Sequence, residues 1–85
     1  MGDTYVAEIK AFITKNFLFG QEDARLADDR SFLEGGIIDS TGMLELVTFI
    51  EERYGVKVGD DELVPENLDS LVRISAFVAR KRGEA

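Results

Sequence analysis

The chain has 85 residues, of which 45% are hydrophobic and 32% charged, and 17 acids against 10 bases give a formal charge of −7. This length predicts a single domain over residues 1–85 with a small core, and the lack of cysteine and histidine excludes disulfides, most zinc sites and histidine-dependent catalysis. The acidic balance argues against nucleic-acid binding, and no apolar run approaches the roughly 20 residues of a bilayer span. We therefore expect a cytoplasmic monomer. With neither cysteine nor histidine, we also expect no metal site and no catalytic machinery of its own.

The first predicted helix has apolar residues spaced by three and four, which places them on one face. These residues are Val6, Ile9, Ile13 and Phe17. Asp3 or Thr4 is the expected N-cap, and Gly20 is the expected stop. Residues 20–39 then form a long loop rich in aspartate, and loops of this length in a small domain tend to be functional or well packed.

The second predicted helix follows this loop and again carries an apolar stripe. The stripe consists of Met43, Leu46, Val47, Ile50 and Tyr54. Asp39 or Ser40 is the expected N-cap, and Gly55 stands where helices commonly end in the left-handed conformation. In the preceding loop, Phe32 or Leu33 is expected to join the same core.

The third predicted helix begins after residue 69 or 70, with Asp69 or Ser70 as its expected cap. Its apolar positions are Leu71, Ile74, Phe77 and Val78, and its last turn contains Arg80, Lys81 and Arg82. Cations at this end suit the helix dipole.

The connection over residues 55–69 is expected to be a compact loop. Pro65 permits only a short helical turn, around Asp60–Val64 or Glu66–Leu68. The acids at 60–62 lack the alternating oxygen ligands and central glycine of a calcium loop, which argues against calcium binding there. The sequence therefore predicts an all-α fold: a four-helix bundle of three main helices and one short helix, with a long loop between helices 1 and 2.

Charge is unevenly distributed along the chain. Residues 39–69 hold nine acids and two bases, whereas residues 70–85 hold one acid and four bases. An acidic second helix suits a basic partner, although the same charge can equally keep a small protein soluble.

Ser40 stands directly after a loop, at the start of the second predicted helix. The first backbone N–H groups of a helix lack partners and its dipole favours negative charge, so this is a good place for a phosphate group. On position alone, an ordinary helix cap is the simpler explanation of this serine.

The run Gly36-Ile37-Ile38-Asp39-Ser40, followed by Leu44-Glu45-Leu46-Val47, Ile50-Glu51-Glu52 and Tyr54-Gly55-Val56, resembles the acyl carrier protein family over about residues 30–80. In that family a serine at the start of the second helix receives 4′-phosphopantetheine from coenzyme A, and the thiol of this arm carries an acyl group as a thioester. The resemblance implies that Ser40 is the attachment site. It also implies that Asp39, the acid before it, positions the transferase or its Mg²⁺.

A second Asp-Ser pair occurs at Asp69-Ser70, and with Leu71 it matches the family's usual Asp-Ser-Leu better than Asp39-Ser40-Thr41 does. Only about 15 residues follow Ser70, too few for the two further helices that follow the modified serine in the family. Capping of the last helix explains Ser70 fully. We therefore place the attachment at Ser40.

The resemblance also implies partners: a phosphopantetheinyl transferase, and acyl- or aminoacyl-carrier ligases and acyl-transfer enzymes with basic patches. Partners of the family contact the outward side of the second helix, where Leu44 is the expected apolar anchor. The positions on that side are Thr41, Leu44, Glu45, Thr48, Glu51 and Glu52.

Two positions depart from the pattern of fatty-acid carriers, which have leucine and an acid where this chain has Thr41 and Gly42. Glycine also loosens a helical turn. We therefore expect a specialised, stand-alone carrier. An aminoacyl- or D-alanyl-type carrier and an unmodified acidic helical adaptor are the alternatives, and the adaptor would tolerate alanine at Ser40.

Overall fold

The computed structural model describes residues 2–18, 20 and 29–83. Within these ranges the chain forms helices joined by turns and loops, with no strand. The elements in chain order are α1 (Gly2–Phe17), α2 (Ser40–Tyr54), a 3-10 turn (Asp60–Glu62), α3 (Pro65–Leu68) and α4 (Leu71–Lys81). The predicted all-α bundle of three main helices and a short one is confirmed. A long connection separates α1 from α2, and residues 19 and 21–28 of it lie outside the described part of the chain. None of the described helices is long and apolar enough to cross a membrane.

The ends of the main helices follow the expected signals at three positions. Gly20 and Gly55 adopt left-handed conformations with φ of 81° and 69°, and Gly55 donates its amide to the carbonyl of Glu51 at 3.0 Å. Ser70 caps α4. Each glycine takes a backbone conformation that is strained for other residues, which is why the helix stops there.

The predicted cap of α1 at Asp3 or Thr4 is wrong, because the helix already includes Gly2. Tyr5 is only 6% exposed and packs edge-on against Tyr54 of α2, with ring centroids 5.1 Å apart. This contact holds the first turn of α1 against α2.

The core lies where α1, α2 and α4 meet. Its fully buried side chains are Ile9, Ile13, Phe32, Ile38, Leu46, Ile50, Leu68, Leu71, Ile74 and Val78. The predicted apolar faces of the main helices supply most of them, while Met43, Val6 and Phe17 pack against the core from partly buried positions. Of the two loop candidates, Phe32 is buried and Leu33 is 43% exposed.

A polar network joins α1 to α2 at the edge of this core. The Tyr54 hydroxyl donates to Glu8 at 2.7 Å, and Arg53 forms an ion pair with the same carboxylate at 2.6 Å. The hydrogen bond from Tyr54, and then Arg53, lowers the pKa of Glu8. Burial, and then the Glu8 carboxylate, raises the pKa of Tyr54. Glu8 therefore remains charged and Tyr54 neutral at pH 7, which preserves this network.

Asp69 ties the end of the long loop to the junction of α3 and α4. The side chain is 7% exposed and accepts hydrogen bonds from the Ser31 hydroxyl and from the Leu33 amide, the latter at 3.0 Å. Its backbone carbonyl accepts from the Phe32 amide at 3.2 Å. These bonds hold Phe32 in the core and set the path by which the chain enters α2.

The sequence predicts one short helical turn, either before or after Pro65. The structure has both, the 3-10 turn and α3. Pro65 opens α3, where its missing N–H has no helical partner to lose. The preceding 3-10 turn is held to α4 by an ion pair between Glu62 and Lys81 at 2.8 Å. Lys81, and then the Gly59 amide, lowers the pKa of Glu62.

The substitution Asp69→Ala should destabilise the protein by about 2–4 kcal/mol, because it leaves the Leu33 amide and the Ser31 hydroxyl without their acceptor. Urea unfolding followed by circular dichroism measures this. Asp61→Ala removes the same charge from an exposed position and should cost less than about 0.5 kcal/mol. Equal losses in the two variants would contradict the anchoring role of Asp69.

Candidate functional site

The start of α2 is built so that one residue caps the helix and the next faces solvent. Asp39 is the N-cap, with φ −93° and ψ −176°, and its carboxylate accepts a hydrogen bond from the Gly42 amide at 2.7 Å. Its carbonyl accepts the Met43 amide at 2.9 Å, which is the first bond of the helical series. Ser40 is exposed, and within the described ranges its side chain makes no hydrogen bond. Its hydroxyl is therefore free to react without the helix losing its cap.

The second Asp-Ser pair has the opposite arrangement. Ser70 is 3% exposed, and its hydroxyl oxygen accepts the Arg73 amide at 3.0 Å, which caps α4. Asp69 points inward to the loop end, as described above. A modifying enzyme can therefore reach Ser40, whereas Ser70 is occupied and covered.

A cavity of about 330 Å³ opens beside Ser40. Its described lining residues are Leu33, Ser40, Met43, Leu44, Leu63, Val64, Pro65 and Leu68. None of these side chains is charged, and Leu33, Leu44 and Leu63 are 43%, 57% and 36% exposed. The site thus places a nucleophilic hydroxyl at the edge of an apolar cleft between α2 and the α3 segment, and this cleft has room for an apolar group.

The outward side of α2 largely has the exposure expected from the sequence. Its exposed members are Thr41, Leu44, Glu45, Thr48 and Glu52. Glu51 differs, because it is half-buried and its carboxylate accepts the Val58 amide at 2.9 Å. Glu51 therefore binds the connection after α2, while Glu45, next to Leu44 in the chain, and Glu52, two turns later, present their charges to solvent.

Gly42 and Phe17 are the residues near the site whose roles sequence reasoning missed. Gly42 is buried, and a Cβ placed on it would lie 2.7 Å from Cε1 of Phe17 and 3.0 Å from Cγ2 of Ile38. The glycine therefore makes room for the end of α1 rather than simply loosening a turn. The available signal was a glycine in the first turn of a helix, where residues with better helix propensity are common.

Metal binding has no evident basis in the described part of the chain. There, no group of three or more Asp, Glu, His or Cys side chains is arranged to hold an ion.

Comparison with known proteins finds relatives of a single kind, although no protein-family model matches the chain. The chain is 34% identical over 65 residues to the acyl carrier protein of Rhodococcus erythropolis, covering 76% of this chain and 69% of that protein. It is 29% identical over 79 residues to the meromycolate extension acyl carrier protein of Mycobacterium tuberculosis, covering 93% of this chain and 63% of the relative. The protein of the same name from Mycobacterium leprae is 34% identical over 58 residues, which are 68% of this chain and 46% of that protein.

Alanine substitutions at the two serines should separate their structural roles. Ser70→Ala should lower the free energy of unfolding by about 1 kcal/mol, because the Arg73 amide loses its cap. Ser40→Ala should change it by less than about 0.5 kcal/mol, since Asp39 still caps α2. Urea unfolding of both variants beside the parent chain provides the comparison, and a larger loss for Ser40→Ala would contradict this assignment of the caps.

Proposed function

This chain belongs to the acyl carrier protein family, and we propose that Ser40 carries a 4′-phosphopantetheine arm on which an acyl group is held and delivered to partner enzymes. One observation carries the proposal: the Ser40 hydroxyl is exposed at the first position of α2 while Asp39, not Ser40, caps the helix. Attachment of a bulky group at Ser40 therefore costs the fold no hydrogen bond.

The residues at the start of α2 suit a phosphodiester. The first amides of a helix lack intrahelical acceptors, and the helix dipole favours a negative charge at this end. Asp39 takes up the Gly42 amide, so its own negative charge is partly offset by that hydrogen bond. When attached, the arm supplies a thiol on which the acyl group forms a thioester.

Modification is a phosphoryl transfer in the active site of a separate transferase. The Ser40 oxygen attacks the β-phosphorus of coenzyme A, its proton passes to a base of the transferase, and the pyrophosphate bond breaks to release adenosine 3′,5′-bisphosphate. Asp39, directly before the serine, is placed to help orient the transferase or its Mg²⁺. Loading and transfer of the acyl group are likewise assigned to other enzymes.

The cavity beside Ser40 favours an acyl over an aminoacyl cargo. Its described lining offers no charged side chain to pair with an ammonium group, whereas its leucine, valine and methionine side chains suit hydrocarbon. Two of the relatives are named as meromycolate extension acyl carrier proteins, which agrees with an acyl cargo. We therefore propose an acyl chain as cargo, in a specialised cytoplasmic pathway.

Partner enzymes are proposed to bind the outward side of α2. Leu44 is 57% exposed there, and Glu45 and Glu52 are exposed on the same helix. An apolar anchor with acids around it complements a basic patch that contains a small hydrophobic pocket. The exposed charges increase the rate of encounter more than they tighten the complex.

Intact-mass measurement tests the attachment site. The parent chain, Ser40→Ala and Ser70→Ala are each incubated with coenzyme A, Mg²⁺ and a phosphopantetheinyl transferase of broad specificity. We expect the parent and Ser70→Ala to gain one phosphopantetheine and Ser40→Ala to gain none. Loss of the gain only in Ser70→Ala would overturn the site, and no gain in any of the three would favour the adaptor.

A further inference from the structure

We propose that Phe17, acting through Gly42, is a positioning residue for the modification of Ser40. This inference rests on the proposed function and deepens it, because it names what holds the serine in a form that the transferase can use. Phe17 is the last residue of α1 and is partly buried. Its ring occupies the space that any side chain at position 42 would need, two residues after Ser40.

The Phe17 ring lies close to the Asp39 cap and the first turn of α2. The Cβ position of Gly42 is 2.7 Å from Cε1 of Phe17 and 3.3 Å from Oδ1 of Asp39. The same Asp39 oxygen accepts the Gly42 amide at 2.7 Å. Phe17 therefore packs against one side of this turn and limits how far the turn can move toward α1.

Phe17 is held by its own helix, which is in turn packed against α2. Its ring lies edge-on to Phe12, with centroids 6.1 Å apart, and Phe12 stacks on Phe49 of α2 at 4.1 Å. Aromatic contacts thus run from Phe49 in the middle of α2 to Phe12 and Phe17 in α1, and Phe17 lies beside Gly42 in the first turn of α2. These contacts hold the Ser40 turn against the body of the bundle.

A positioning role has a kinetic signature that a purely structural role lacks. If the Ser40 turn spends only part of its time capped, the transferase binds only that fraction, so the apparent KM for the carrier rises by the reciprocal of the fraction. The kcat stays the same, because bound carrier has the parent geometry. A loss of global stability that still leaves the chain folded at the assay temperature changes neither KM nor kcat.

The experiment measures initial rates of modification against carrier concentration, with coenzyme A, Mg²⁺ and transferase held constant. The variants are Phe17→Ala, Gly42→Ala and the double variant, and circular dichroism checks that each is folded. Gly59→Ala is the matched control, because its Cβ would crowd the end of the exposed Asp61 side chain, at 2.8 Å, and would be in ordinary contact with Oε1 of Glu62, at 3.6 Å. Phe17→Leu keeps the test available if Gly42→Ala does not fold.

We expect Phe17→Ala and Gly42→Ala each to raise the KM about fivefold with kcat within about twofold of the parent, and Phe17→Leu to fall between. The double variant should be no worse than Phe17→Ala, because removing the ring relieves the shortest of the three contacts that a methyl group at position 42 would make. Gly59→Ala should match the parent. Hydrogen exchange at the Gly42 amide should be faster in Phe17→Ala, as its bond to Asp39 opens more often.

Two results would overturn the inference while leaving the proposed function intact: parent-like KM values in both single variants, or additive effects in the double variant. A parent chain that is not modified at Ser40 would instead overturn the proposed function, and this inference with it. The parent reaction therefore tells the two failures apart.

Discussion

The hydrogen bond that Gly42 donates to the Asp39 carboxylate decides where α2 begins and what its first residue can do. With Asp39 as cap, Ser40 occupies the first helical position and has no structural duty in the described part of the chain. A serine that capped its own helix would lose that bond on modification, at a cost of about 1 kcal/mol. At this site Asp39 stabilises the helix, and the adjacent Ser40 is left available for modification.

In the two Asp-Ser pairs the aspartate and the serine exchange roles. At residues 39–40 the aspartate caps and the serine faces solvent, whereas at residues 69–70 the serine caps and the aspartate is buried against the loop end. The difference arises from what surrounds each pair. The Asp69 carboxylate accepts hydrogen bonds from the Ser31 hydroxyl and the Leu33 amide, and these bonds set the path into α2, the helix that the other pair begins.

Much of the fold could be predicted from local sequence, because burial repeats with the helical period and the caps are local signals. Gly55 and Ser70 are examples, since each acts within its own turn. The N-terminal cap of α1 was mispredicted because an Asp or a Thr in the first turn of a helix looks like a cap in the sequence, and both residues here lie inside the helix. Ser40 itself could be singled out from the pattern around it.

Roles that depend on distant residues could not be predicted. The sequence indicated only that Gly42 loosens its helical turn. In the structure, a side chain at this position would collide with Phe17, which belongs to another helix. The anchoring role of Asp69 was likewise hidden, because its partners lie 36 and 38 residues earlier in the chain. The hydrogen bond from the Val58 amide to Glu51 could not be predicted either, because it depends on the path of the chain after α2.

Peptide mapping of the modified parent chain tests the central claim, that Ser40 and not another hydroxyl carries the arm, most directly. Cleavage after arginine and lysine places Ser40 in the peptide 31–53 and Ser70 in the peptide 58–73, and fragmentation then localises the added mass. We predict that the phosphopantetheine lies on Ser40 within the first peptide. Its presence on the second peptide, or on Ser31 within the first, would contradict the account.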